Sequence, residues 1–187
     1  AIFQAGNEKE YLQLTGKLPE SPFFFPTAVD SNNVQILSCI PEKLHRHLSK
    51  RFSELSLYHG SCSFLSYLFK ERFNLIEQEI WINLFDSHVY LAAFTNQELS
   101  IFNQFEVETK EDVFKYVLIL MESLQHDRNH ARVTLFGSTE KNGITEDWGK
   151  SYFANFRLIR PHANQNYGHG LSKDKAPIIF ESFWHYA

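Results

Sequence analysis

Three shortages narrow what this chain is. No run of apolar residues approaches the length needed to cross a bilayer, so no membrane insertion is expected. Positive charge is not in excess. The 18 Lys and Arg stand against 22 Asp and Glu, a net charge of -4, so no global field draws the chain to nucleic acid or an anionic surface. Only two cysteines occur, Cys39 and Cys62, and they lack metal-ligand spacing, which leaves buried thiols of a reducing compartment. The opening residues AIFQAGNEKE contain no basic region followed by an apolar core and a cleavage site, so a cytoplasmic location is expected. Ala1 leads straight into what reads as chain interior, so an N-terminal piece is expected to precede it.

What is present suffices for one substantial core or two small ones: 187 residues, 43% of them hydrophobic. The most regular stretch runs from Ile80 to Gln125. Three apolar runs alternate with period two, through Ile82 and Leu84, then Val89, Leu91 and Ala93, then Leu99 and Ile101. Short polar breaks, Asp86-Ser87-His88 and Thr95-Asn96-Gln97, separate them. After Phe105 the period changes. Thr109 with Asp112 forms a helix-start signal, and Val113, Val117, Met121 and Leu124 make a helical stripe. The reading is an antiparallel meander, Ile80–Asp86 with Val89–Thr95 and then Leu99–Phe105, leading into a long helix.

On the N-terminal side the signals are weaker. Tyr11, Leu12 and Leu14 read as a strand remnant, and Phe23-Phe24-Phe25-Pro26 as an apolar loop clamped onto a core, since proline interrupts a central strand. Val34 to Phe73 reads as strand, helix, strand, helix with a parallel pair. Its strands are Val34–Ser38 and Glu54–Tyr58, its first helix buries Leu44, Leu48 and Phe52, and Ser61 caps its second. On the C-terminal side Arg132–Phe136 is a strand stopped by Gly137. Thr145 opens a short helix, and Phe156–Arg160 is the last strand. The polar tract from His162 to Gly170 reads as a loop. The apolar tail beyond it is expected to dock as a short helix or edge strand, the alternative being a homodimer that uses the tail or an exposed sheet edge.

Strand, strand, strand, helix, strand, helix, strand is the plan of a ribonuclease H-like unit. A nuclease of that plan needs clustered carboxylates to hold two metals, but RVTLFGST, the fourth strand, carries no acid, so no metal site is expected. His45 and His47 point apart on a helix, and His126 and His130 lack a third ligand. Ser61 or Cys62 beside His59 has no orienting acid and reads as structural, so no catalytic residue is assigned.

The doubled form of this unit is the actin-like ATPase fold. The run LSIFNQFEVETKEDVFKYVLILMESLQ, followed by RVTLFGST and FRLIRP, resembles an uncharacterised Bacteroidetes family of unknown-function domains related to that superfamily. Asn103 and Phe105, Glu111-Asp112, and Leu135 and Gly137 carry the match. The resemblance implies an α/β fold with a partial first actin-like domain over residues 1–73, a complete second domain over 74–161, and a C-terminal loop and docking tail over 162–187. Active superfamily members use aspartate-x-glycine at the first hairpin of the second domain and paired glycines after its fourth strand. This chain has Asp86-Ser87-His88 and Gly137-Ser138 at those places. The leading expectation is therefore a non-catalytic interaction or scaffold protein with an unidentified protein partner and no cofactor. The alternative is a divergent ATPase binding ATP and magnesium through Asp86, Ser87, His88, Gly137 and Ser138.

Overall fold

The structure is a computed structural model and describes residues 6–29, 34–164 and 180–185. The chain forms two compact units, Ala1–Ser66 and Tyr67–His185.

In the first unit, helix α1 (Glu8–Gln13) replaces the expected strand remnant. Strands β1 (Pro22–Val29) and β2 (Val34–Pro41) pair antiparallel along their whole length. The Phe23–Pro26 stretch is thus strand rather than loop. A two-stranded sheet has only edge strands, and an edge tolerates proline. The expected parallel pair is replaced by this hairpin, and the expected strand over residues 54–58 does not form.

Helix α2 (Glu42–Ser49) forms where expected but has no buried residue. It meets the hairpin through His45, whose ring stacks on Phe23 at 3.5 Å, leaving Leu44 and Phe52 exposed at 45% and 56%. Helix α3 (Gly60–Lys70) begins one residue before Ser61, and His59 supplies its cap: the Nδ1 atom accepts from the Ser61 N–H at 3.2 Å and meets its Oγ at 2.7 Å. Burial pushes the His59 imidazole below its usual range.

The second unit carries the fold. Its meander is β3 (Gln78–Phe85), β4 (His88–Thr95) and β5 (Glu98–Glu106), in antiparallel register Ile80↔Ala93 and Leu91↔Asn103. Helix α4 (Lys110–Leu124) crosses over to β6 (Arg132–Gly137), and α5 (Glu146–Lys150) leads to β7 (Asn155–Leu158). The sheet order is β5-β4-β3-β6-β7, with β6 and β7 parallel to β3, as the ribonuclease H-like plan requires. The Thr109 capping box forms in full, and Thr145 caps α5 through the Trp148 N–H.

The two faces of this sheet differ in chemistry. On one, Ile80, Ile82, Leu84, Val133 and Leu135 pack with Val113, Val117 and Met121 of α4, while Leu124 is half-buried. Phe114 extends that layer by stacking on Trp148 at 4.3 Å and meeting Phe153 and Phe156. Across the strands, period two places Glu79, Trp81, Asn83, Arg132, Thr134 and Phe136 on the opposite face. Tyr67 is its hub, within 6.2 Å of Trp81, Phe136, Phe180 and Trp184, and burial pushes its hydroxyl up to about 12.

The described residues 180–185 lie on this face. Helix α6 (Phe180–Phe183) and Trp184 are anchored there, and Asn164 exchanges two hydrogen bonds of 2.9 Å with the His185 backbone. The expectations for residues 165–179 and 186–187 lie outside the described residues.

Asn83 is fully buried in β3, the central strand of the sheet, and both polar atoms of its amide lack a partner among the described residues. An unsatisfied buried amide costs about 1–3 kcal/mol, whereas an apolar group of the same shape costs little. Asn83→Leu is therefore expected to hold or raise stability in urea unfolding. A loss beyond ~2 kcal/mol would show that the amide is paired in solution.

Candidate functional site

The hairpin between β3 and β4 turns on Asp86 and Ser87, with Asp86 at φ 49°, a left-handed conformation that aspartate tolerates. Its carboxylate accepts from Lys141 Nζ at 2.6 Å, and that bond holds the carboxyl below its usual range. His88 points elsewhere. Its Nε2 lies 3.8 Å from Glu106 Oε1, and its ring stacks on Phe85. Ser87 Oγ meets His88 Nδ1 at 3.3 Å, and the Ser87 carbonyl accepts from Val107.

At the end of β6, Gly137 has φ 110°, and the Ser138 N–H donates to the Leu84 carbonyl at 2.7 Å. The following loop is tied by Asn142 Nδ2 to the Ser138 carbonyl and by the Ile144 N–H to Thr139. Together they wall a cleft of about 630 Å³ lined by Gly137, Ser138, Thr139, Lys141, Leu158 and Arg160, among others. It opens at the carboxyl ends of two parallel strands, where open α/β sheets bind ligands.

Of the residues picked out in the sequence, Gly137 and Ser138 line this cleft. Asp86 reaches its rim through Lys141. Ser87 and His88 are not among its lining residues. Lys141 and Arg160 were missed. The signal for them was topological: each follows the end of a parallel strand. Among the described residues no group of three His, Cys, Asp or Glu is placed to hold a metal. The two histidines after α4 have separate partners, His126 with Thr95 at 3.0 Å and His130 with Asp127 at 2.8 Å. Burial lowers the His126 imidazole.

The chain belongs to a family described as "Protein of unknown function (DUF3822)", whose profile matches residues 1–156. No curated protein matches it. A crystal structure from Bacteroides thetaiotaomicron, of a protein with actin-like ATPase fold and unknown function, is similar to it, with a TM-score of 0.73 and 16% identity. The match covers 84% of this chain and 62% of that one, so this chain spans less than two thirds of the relative's length. The likeness establishes an actin-like α/β fold, and the fold alone.

Proposed function

We propose that this is a non-catalytic interaction or scaffold protein that keeps the actin-like fold and acts through a protein partner in the cytoplasm, without nucleic acid. Residues 1–73 would then be part of a first actin-like domain and residues 74–161 a complete second one. No helix among the described residues is long and apolar enough to cross a membrane.

The observation that carries this reading is the β3–β4 hairpin, Asp86-Ser87-His88. The hairpin carboxylate is engaged by an ammonium from the facing loop, and the side chain two residues on is an imidazole directed at Glu106. His88 stands where active members have no side chain, and Asp86-Ser87-His88 contains no glycine that would let the backbone approach a phosphate chain.

The second reading, a divergent protein that binds ATP and magnesium, is favoured by the cleft beside Gly137, whose lining includes Lys141 and Arg160 alongside Glu140 and Glu146. Calorimetric titration with ATP and magnesium separates the two. No saturable heat is expected up to about 1 mM nucleotide, a binding energy near 4 kcal/mol. Tight saturable binding, even without turnover, would overturn the first reading.

A further inference from the structure

We propose that the outer edge of β5, with the adjoining shoulder of α4, is a docking site for an extended segment of a protein partner carrying basic residues at its ends. The proposal rests on the interaction-protein reading above and gives it a location.

β5 is the terminal strand of the five-stranded sheet, and no strand among the described residues pairs with its outer side. Such an edge offers a row of N–H and C=O groups, and natural edges are usually blunted by lysine, proline, bulges or short length. This one is nine residues long, and the stretch Leu99–Phe105 contains no charge, proline or glycine. Consecutive residues Ala93 and Phe94 of β4 face Ile101 and Leu99, so Ser100 is an extra residue that bulges β5 near its start. Beyond the bulge, the register from Ile101 to Glu106 is unbroken, and those six residues are the template.

A side-chain shelf lies over that part of the strand. Phe105 stacks on Tyr116 of α4 at 4.1 Å, and Ile101, Phe105 and Tyr116 are only partly buried. Ile119, one helical turn beyond Tyr116 on the same side, is 53% exposed. A strand added outside β5 would place alternate side chains against these groups, while main-chain bonds supply the rest.

Charge selects the occupant. Between Glu106 and Asp112 there are four carboxylates against one lysine, and the Glu106 side chain is 88% exposed. Lys110 and Lys115 lie over the Trp148 and Tyr116 rings. At the other end Glu98 is 74% exposed and pairs with Arg72. A second copy pairing antiparallel about Phe102 would set Glu98 against Glu106 at both ends, and opposed like charges destabilise a strand pair. A segment ending in Lys or Arg meets a carboxylate at both, the one at Glu98 shared with Arg72.

The probe is a synthetic peptide of alternating Val and Thr with two lysines at each end, studied by calorimetry and by amide exchange on the whole chain. Saturable binding is expected, with slowed exchange confined to alternate amides of β5. The same peptide with glutamates at its ends should bind about tenfold more weakly or worse, and N-methylation of alternate peptide amides should abolish binding. Ile119→Ser and Glu106→Lys, both at exposed positions, should each weaken the lysine peptide about tenfold.

No protection in β5, or equal binding of both peptides, overturns the proposal. β5 protection that instead tracks a dimer seen by light scattering assigns the edge to a second copy and also overturns it. Failure here leaves the scaffold reading standing, since only nucleotide binding sinks that.

Discussion

Gly137→Ala is expected to destabilise the second unit by more than about 3 kcal/mol, while Gly143→Ala, six residues on, should cost only about 1–2. Both glycines have positive φ, 110° and 61°, so both substitutions strain the backbone. They differ in what a methyl group would meet. At Gly143 nothing lies within 4 Å, whereas at Gly137 the added carbon would sit 1.9 Å from the Leu84 carbonyl oxygen. That oxygen belongs to the central strand and accepts the Ser138 N–H, so neither partner can give way without parting β6 from β3. The cleft wall, which begins at Gly137 and Ser138, should distort with it. Chemical denaturation of the two variants side by side is the measurement. Equal losses would show that φ strain alone explains Gly137 and that the close approach to Leu84 is relieved in solution.

How legible each part was follows from how local its determinants are. The meander could be read because Ile82, Leu84, Val89 and Leu91 alternate strictly around two-residue turns, and α4 because Thr109 and Asp112 announce it within one turn. The first unit could not. Nothing in Val34–Tyr58 states that β2 turns back on Phe23–Pro26 rather than running beside a second strand. The apolar spacing of Leu44, Leu48 and Phe52 promises a buried face without naming what covers it. The cleft was half legible. Gly137 and Ser138 followed from the family resemblance, but Lys141 meets Asp86 only because β6 ends beside the β3–β4 hairpin, 55 residues apart in sequence. Glu79 was passed over because it stands just ahead of the first clear apolar alternation, and a charge there reads as a solvated strand start.

That glutamate carries the second large effect. Glu79 has no exposed surface, and its two oxygens each accept from Arg132 Nε at 2.8 Å, while one also accepts from the Ile76 N–H at 3.2 Å. Arg132 donates further to the Asn74 carbonyl. Arg157 Nε donates to Thr134 Oγ1 at 2.9 Å, and its guanidinium lies 4.0 Å from Glu79. Three strands are thus tied at their amino ends by one carboxylate, opposite the end that holds the cleft. Removing one member of such a pair leaves the other charge buried without compensation, which costs about 3–5 kcal/mol, whereas replacing both by apolar groups is often close to neutral. Glu79→Leu and Arg132→Met are each expected to lose about that much, and the double variant should lose less than the sum by at least ~2 kcal/mol. Additive losses in the double-mutant cycle would mean that the pair contributes through packing of its two stems, with the charges solvated. A double variant as stable as the parent would instead show that the ion pair is retained for something other than stability, with the register of β3 against β6 as the first property to examine.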